Sequence, residues 1–212
     1  MGLVVNPRGA GGAGKTALAR QVMAEYGWPQ DGRVTPIRHG RHERPIGYRL
    51  VHPHGGRPLA VLGHYEATCG GCDTIRLSDG GLDGVFRLAD AFASAGHDVL
   101  LEGLRLSGEH RRSAALAEAH AVHVLRLDTP LERCVRNLVA RRRARRSTWP
   151  RIAGAVAAMD REVEEACRRL QESGAGIEVL GFDAALRRAR NLLGLHQGSS
   201  RKPRGQDRSG QR

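Results

Sequence analysis

A glycine-rich loop between a buried strand and a helix constrains the fold of this chain more than any other feature. Residues 2–6 form a short apolar run, and residues 17–26 carry apolar side chains at helical spacing. Between them the pattern G-x-x-x-x-G-K-[ST] is matched in full by Gly9, Ala10, Gly11, Gly12, Ala13, Gly14, Lys15 and Thr16. Small residues let successive backbone N–H groups face one anion, and the helix dipole adds positive charge. These eight residues are predicted to bind the phosphates of ATP.

The last two residues of the loop decide between two interpretations of it. Gly9, Gly11 and Gly14 also satisfy the dinucleotide pattern G-x-G-x-x-G, but that pattern predicts neither Lys15 nor Thr16. In a nucleotide triphosphate site, Lys15 reaches the β- and γ-phosphates and the Thr16 hydroxyl coordinates Mg²⁺. We therefore expect ATP and Mg²⁺ as cofactors, with Lys15 as a catalytic residue.

The charge of the chain indicates a polyanionic partner. Its formal net charge is +12, which favours binding to nucleic acid, although a preference for arginine codons explains part of this excess. Only Lys15 and Lys202 are lysines, so the lysine of the loop is not there by chance. No apolar run is long enough for a membrane span, and no secretory signal is evident, so we expect an intracellular protein. The four cysteines do not form the pattern of a disulfide framework.

Strands alternate with helices along the chain, which predicts an α/β fold. We expect a mostly parallel sheet of the P-loop type flanked by helices on both faces, with ligands at the carboxyl ends of the strands. The predicted kinase-type domain covers residues 1–195 and contains a β-rich insertion at about 33–65. Residues 196–212 are mostly Gly, Ser, Arg and Gln and cannot bury a core, so we predict a disordered basic tail.

One carboxylate follows the predicted strand at residues 98–101. Glu102 comes at its carboxyl end, where a metal ligand or a base is needed, whereas Asp98 lies at its start, about 13 Å away, and should face away from the phosphates. Glu102 is therefore a candidate metal ligand, together with Thr16, and a candidate catalytic residue. The alternative is a glutamate that only caps a helix or forms a salt bridge.

An arginine cluster follows a helix with a clear start. Thr129, Pro130 and Glu132 are predicted as its N-cap, first and third residues, and the helix leads into ARRRARR at 140–146. Arginines placed over a transferred phosphoryl group stabilise its charge, so residues 140–150 are predicted to form a helical, arginine-rich lid. Arg142 is the candidate catalytic arginine, although helical spacing makes Arg142 and Arg146, or Arg141 and Arg145, co-facial. A basic face that binds DNA phosphates is the alternative.

The segment GHYEATCGGCDTI at 63–75 permits three interpretations. Cys69 and Cys72 have the spacing of half a zinc site, and three histidines, His52, His54 and His64, are near in sequence. A redox pair is disfavoured because the motif does not open a helix. A tight loop that directs Asp73 at a substrate is the third interpretation, and Asp73 then orients and deprotonates an attacking hydroxyl.

With the loop, the acidic strand end, LRLDTPLERC and the arginines in place, the chain resembles the P-loop kinases of nucleosides and nucleotides over about residues 1–195. The segments NPRGAGGAGKT and LGHYEATCGGCDTI resemble bacteriophage kinases of 5-hydroxymethyluracil in DNA, which are related to thymidylate kinases. This resemblance implies transfer of the ATP γ-phosphate to the 5-hydroxymethyl oxygen, which yields 5-phosphomethyl-deoxyuridine. Later phage hypermodification enzymes, which are expected partners, then displace that phosphate, and the modified DNA evades host nucleases.

The residues themselves are compatible with that implied reaction. A neutral alcohol needs a positioned carboxylate, which Asp73 or Glu102 supplies, and a DNA substrate gives the basic lid and tail a purpose. A base inside a duplex has to be flipped out, and Tyr65 or Trp149 is available to stack on it. Two alternatives remain: a kinase of a free nucleoside, nucleoside monophosphate or other small alcohol, and a nucleic-acid-binding module switched by ATP. The expected location is the cytoplasm of a phage-infected host.

Overall fold

Seven strands form one sheet in the order β2-β3-β4-β5-β1-β6-β7 in this computed structural model, which describes residues 2–29, 32–38, 44–67 and 70–195. The strands are β1 (Leu3–Arg8), β2 (Val34–Ile37), β3 (Gly47–Leu50), β4 (Leu59–Leu62), β5 (Asp98–Leu101), β6 (Ala121–Leu127) and β7 (Gly176–Leu180). From β4 to β7 all neighbours are parallel, whereas β2 and β3 pair antiparallel at one edge. The predicted α/β, mostly parallel sheet is confirmed, and the β-rich segment at 33–65 supplies three strands of this same sheet.

Seven α-helices flank the sheet in the described part of the chain. They are α1 (Lys15–Glu25), α2 (Gly81–Ser94), α3 (Leu104–Gly108), α4 (Arg111–Ala119), α5 (Leu131–Arg142), α6 (Trp149–Glu172) and α7 (Phe182–Leu192). Successive side chains of the central strands alternate between two apolar cores, one on each side of the sheet. Val5, for example, packs with α1 and α7, whereas Val4 packs with α2. Because both faces are covered, the carboxyl edge of the parallel strands is where a ligand can reach the sheet.

Two helices separated by a break lie between β5 and β6. A short α3 begins directly after Gly103, and α4 starts at Arg111. The buried guanidinium of Arg8 accounts for the break, because it donates to the carbonyl oxygens of Ser107 and Glu109 at 3.2 and 2.7 Å. The carboxylate of Glu109 then accepts the backbone N–H groups of the first turn of α4.

The start of α5 also differs from the prediction. Pro130 is the N-cap and Leu131 the first helical residue, so the capping box expected from Thr129 and Glu132 was wrong. The Thr129 hydroxyl instead donates to the carbonyl oxygen of Ala13, 2.9 Å away in the glycine-rich loop. Its role is therefore to attach the start of α5 to the phosphate-binding loop.

The predicted basic tail at 196–212 lies outside the described residues. Within the described ranges, none of the helices is both long and apolar enough to cross a membrane.

Candidate active site

A cleft of about 430 Å³ opens at the carboxyl edge of β1 and β5. Three kinds of segment form it: the glycine-rich loop with the first turns of α1, the loops that follow β4 and β5, and the outer face of α5. The lining residues are Gly11, Gly12, Gly14, Lys15, Thr16, Ala17, Arg20, Gly70, Asp73, Thr74, Glu102, Leu104, Asn137 and Arg141. The structure thus brings Lys15, Thr16, Asp73 and Glu102 together from three separate parts of the sequence.

Close packing against α5 fixes the glycine-rich loop. Gly12 has a φ of +86°, and a Cβ atom at this position would lie 2.3 Å from the carbonyl oxygen of Cys134. The amide of Asn137 donates to the Gly12 carbonyl oxygen at 2.8 Å. The loop therefore requires glycine at this position for both its backbone conformation and the approach of α5. Contacts within the protein therefore hold the loop in a conformation that can accept an anion.

Lys15 begins α1 and is buried beneath the loop. Its ammonium group donates to the carbonyl oxygens of Gly9 and Ala10 at 2.7 and 3.0 Å. Burial lowers the pKa of Lys15, while the nearby Glu102 and Asp73 carboxylates act in the opposite direction. The cation is thus placed at the floor of the cleft, where an anionic ligand would relieve its desolvation.

Glu102 lies directly after β5 and is almost completely buried. One carboxylate oxygen accepts a hydrogen bond of 3.0 Å from the Thr16 hydroxyl. Burial raises the pKa of Glu102 to about 7, although Lys15 and the hydrogen bond from Thr16 lower it. The group therefore lies close to its titration point at neutral pH, and a bound cation would favour its ionised form.

The raised pKa of Glu102 predicts how stability depends on pH. Between its ordinary pKa of 4.5 and the folded value of about 7, the folded state binds more protons than the unfolded state. The free energy of unfolding therefore falls as pH rises through this window. Relative to the Glu102→Gln variant, wild type should lose about 3 kcal/mol between pH ~4.5 and pH ~7.5, measured by urea unfolding without nucleotide or metal. A difference between the two proteins that does not change with pH would contradict the prediction.

Asp73 approaches the cleft from the opposite wall. It lies in a short 3₁₀ turn at Cys72–Thr74, and its two carboxylate oxygens accept the backbone N–H groups of Leu104 and Arg105, the second at 3.1 Å. The side chain is nevertheless exposed to the cleft. Because each carboxylate oxygen can accept a second hydrogen bond, Asp73 is anchored and still able to bind a hydroxyl group.

The glycines of CGGC, rather than its cysteines, explain the motif in the described residues. Gly71 has a φ of +88°, and a Cβ atom there would lie 2.4 Å from the Glu102 carboxylate. The following amide, that of Cys72, donates to the Glu102 carbonyl oxygen at 2.7 Å. Gly71 therefore lets the loop close over Glu102 and places Asp73 beside it.

Substituting Gly71 with alanine should damage both the fold and the site. The new methyl group would displace Glu102 from Thr16, in addition to the strain of a left-handed alanine. Gly174→Ala is the matched control, because Gly174 has a φ of +89° and nothing within 4 Å of an added Cβ. Urea unfolding should show that Gly71→Ala loses about 1–3 kcal/mol more unfolding free energy than the control. Its rate of phosphate transfer, the reaction expected from the sequence, should fall more than about tenfold. Equal losses in the two variants would mean that the Gly71–Glu102 contact is unimportant.

The zinc interpretation gains no support from the part of the chain that is described. Cys69 lies outside it, and no three His, Cys, Asp or Glu side chains within it are placed to hold a metal ion. Cys72, Cys134 and Cys167 are buried free thiols. His52 bonds to the carbonyl oxygen of Leu193 at 2.9 Å, so that ring has a packing role. Thr16 and Glu102, the predicted metal ligands, place their side-chain oxygens 3.0 Å apart in a hydrogen bond.

The arginine cluster forms the corner between α5 and α6. α5 ends at Arg142, Arg143 adopts a left-handed conformation, and a short 3₁₀ turn precedes α6. Of these arginines, Arg141 lines the cleft and contributes to the lowered pKa of Lys15. Arg142 is exposed and does not line the cleft as described, so its catalytic role stays a prediction.

Arg20 is a cleft residue that sequence reasoning did not select. It lies one helical turn after Thr16, and this i, i+4 spacing is the signal that would have found it. Its guanidinium donates to the carbonyl oxygens of Tyr65 and Ala67 and so holds the loop after β4 against α1. Tyr65 itself is only 1% exposed and cannot stack on a base, which corrects that expectation. Trp149, 40% exposed at the start of α6, keeps a free surface.

Comparison with known proteins identifies one similar to this chain along nearly its whole length. No protein-family model matches the chain. Over 192 residues, however, it is 33% identical to the 5-hmdU DNA kinase of Pseudomonas phage PaMx11. The alignment covers 90% of this chain and 96% of that relative. An alignment of that coverage has to include both carboxylates and the arginine corner.

Proposed function

The chain belongs to the family of the phage 5-hmdU DNA kinases and is a phosphotransferase, and we propose that its acceptor is the 5-hydroxymethyl group of 5-hydroxymethyl-deoxyuridine in DNA. The observation that carries this proposal is the meeting of Asp73 with the phosphate-binding loop in one cleft. A carboxylate facing the phosphates suits an alcohol, which has to lose a proton, better than a monophosphate, which is already anionic. The product is 5-phosphomethyl-deoxyuridine, and its formation is a step in thymidine hypermodification.

ATP is the proposed donor, bound by residues 9–16. The first N–H groups of α1 have no partners within the helix and point toward the loop, where they receive phosphate oxygens. When ATP enters, Lys15 exchanges the carbonyl oxygens of Gly9 and Ala10 for the β- and γ-phosphates. In this role Lys15 stabilises the charge that spreads over the transferred phosphoryl group.

Magnesium fits the oxygen atoms that the cleft provides. Thr16 and Glu102 are hard oxygen ligands at the phosphate end of the cleft, and Mg²⁺ commonly uses one or two protein oxygens together with substrate phosphates and water. When bound, the ion would neutralise charge on the β- and γ-phosphates. Its presence would also hold Glu102 in the ionised form despite burial.

Asp73 is the proposed base and orienting group. One of its carboxylate oxygens accepts the hydrogen bond of the acceptor hydroxyl and takes its proton as the oxygen attacks the γ-phosphorus. A new O–P bond forms, the bond from the γ-phosphorus to the β,γ-bridging oxygen breaks, and ADP leaves. The proton then passes from Asp73 to solvent. Anchoring by the two amides of α3 keeps the carboxylate in position through this sequence.

The corner at residues 140–150 is proposed as the lid of the kinase domain of residues 1–195. Arg141 already lines the cleft, and a modest closing movement would bring Arg142 over the transferred phosphoryl group. The remaining arginines of the corner and the basic residues 196–212 are proposed to bind DNA phosphates, which adds salt-sensitive affinity. Other phage DNA-modification enzymes are the proposed partners, and the host cytoplasm the proposed location, because the relative belongs to a phage.

The choice of acceptor is tested by comparing DNA with the free nucleoside as acceptors of the phosphate. With labelled ATP and Mg²⁺, we expect transfer to a 5-hydroxymethyluracil-containing oligonucleotide at a kcat/KM at least about a hundredfold above that for the free nucleoside. Transfer to the nucleoside or its monophosphate alone would replace the DNA acceptor with a small-molecule one. ATP hydrolysis stimulated by DNA, without any transferred label, would contradict the whole proposal.

A further inference from the structure

A second cavity adjoins the nucleotide cleft at Asp73. It has a volume of about 240 Å³, and Asp73 is the residue that belongs to both walls. Its lining combines the apolar side chains of Ile75, Leu77 and Leu82 with the polar ones of Asp83, Arg105 and Arg112. A group held there would therefore present its reactive end to Asp73, at the border with the nucleotide cleft.

The chemistry of this cavity matches a pyrimidine base. Apolar walls and the backbone of Gly80 and Gly81 suit the faces of a flat ring, and a rim of charged groups suits its polar edge. Arg112 is held by an ion pair with Asp83 at 2.5 Å, so part of this rim is fixed before a ligand arrives. The volume accommodates a single base but not a double helix, so a base from duplex DNA would have to leave the stack to enter.

Leu77 stands at the mouth of this cavity and is 87% exposed, the most exposed large apolar side chain of the described residues. An isolated leucine in water gains nothing from that position. It lies in a short 3₁₀ turn, Leu77–Asp79, preceded by the exposed Arg76. Its backbone is held by the turn, because the amides of Gly80 and Gly81 donate to the carbonyl oxygens of Leu77 and Arg76.

Exposed arginines lie beside the same mouth. Arg76 precedes Leu77 in the chain, Arg105 lines the cavity, and the Arg87 guanidinium lies 3.4 Å from where a Cβ atom on Gly80 would be. Guanidinium groups around an apolar tip are the arrangement expected of a protein that binds DNA phosphates while inserting a side chain between bases.

We propose that the cavity between Asp73 and Leu77 receives the acceptor base turned out of the DNA helix, and that Leu77 enters the base stack in its place. This inference rests on the proposed function, because it requires a base within DNA as acceptor. Leu77 is a positioning residue that touches the neighbouring bases, whereas Asp73 touches the reacting hydroxyl. Filling the vacated space offsets part of the cost of unstacking, so Leu77 should matter most when the target base is paired.

Leu77→Ala tests the wedge, with Val51→Ala as a control because Val51 is also highly exposed, at 61%, but lines neither cavity. On duplex DNA with a paired 5-hydroxymethyluracil, Leu77→Ala should lower kcat/KM about tenfold or more. On single-stranded DNA, or opposite an abasic site, the loss in Leu77→Ala should be at least about fivefold smaller than on the paired duplex, and Val51→Ala should equal wild type on all three substrates. With 2-aminopurine beside the target, Leu77→Ala should show a smaller fluorescence increase on binding than wild type.

Base placement is tested separately with a duplex that carries a diazirine-substituted uracil at the target position. Irradiation should attach the base to peptides from residues 72–83 or 104–112. Attachment to the corner at 140–150 instead, or undiminished duplex activity and fluorescence in Leu77→Ala, would overturn the inference while the proposed function stood. Activity of wild type on single strands but not on duplexes would do the same. No transfer by wild type to any DNA would remove the proposed function and this inference with it.

Discussion

Replacing Lys15 with methionine is expected to reduce phosphate transfer at least about a thousandfold, the largest effect of any single substitution in the cleft. The methionine side chain matches lysine in length but cannot place a cation against the γ-phosphate. Among the described residues, Lys15 carries the only ammonium group that lines the cleft, and its hydrogen bonds end within the loop. The loss should persist at saturating ATP, because the charge acts on the transition state as well as on binding.

A folding defect does not account for this expected loss. Burial disfavours the charge of Lys15, so an apolar substitution should be tolerated in the absence of nucleotide. Arg168→Met removes a cation from an exposed site on α6, where Arg168 pairs with Glu165 and Glu172, and serves as the control. Steady-state transfer measured for both variants should show full activity only in the second. Substantial activity in Lys15→Met would exclude the assigned role of the loop.

Replacing Asp73 with asparagine is expected to lower kcat by about 10²–10⁴-fold with little change in ATP affinity. The amide retains one acceptor for the N–H groups of Leu104 and Arg105 but cannot take a proton from the acceptor hydroxyl. Asp90→Asn is the matched control, because Asp90 is an exposed carboxylate that pairs with His120 at 2.8 Å and lines neither cavity beside Asp73.

Rapid-mixing experiments separate chemistry from binding in the Asp73 variant. The single-turnover rate should fall by the same factor as kcat, while binding of a fluorescent ATP analogue stays as in wild type. A loss confined to KM for the acceptor would reduce Asp73 to a binding residue. A loss of ATP affinity of similar size would point instead to collapse of the loop over Glu102.

Short-range patterns in the sequence were sufficient to predict where the glycine-rich loop and Glu102 lie in the fold. The motif at residues 9–16 has few other structural meanings, and a carboxylate that follows a buried strand comes at the sheet edge where the loop also lies. The parallel pairing of β1 with β5, Val4 opposite Val99, converts that reasoning into a contact between Thr16 and Glu102. The α/β fold followed from the alternation of strands and helices for the same reason.

Contacts between distant segments lay beyond that kind of reasoning. The need for glycine at position 71 comes from the Glu102 side chain, 31 positions away, so the cysteines of CGGC attracted attention instead. Thr129 looked like a helix cap because its spacing allows one, but the carbonyl oxygen of Ala13 is its partner. The choice between Arg141 and Arg142 depends on the rotation of α5 about its axis, which adjacent arginines in a sequence do not reveal.

The central claim is that this chain phosphorylates the hydroxymethyl group of a base within DNA. It is tested most directly by incubating the full-length protein with γ-labelled ATP, Mg²⁺ and two DNAs that differ only in thymine or 5-hydroxymethyluracil at one position. We predict label only on the hydroxymethylated DNA, recovered after nuclease digestion as 5-phosphomethyl-deoxyuridine. Label on neither DNA, or equally on both, would contradict the claim.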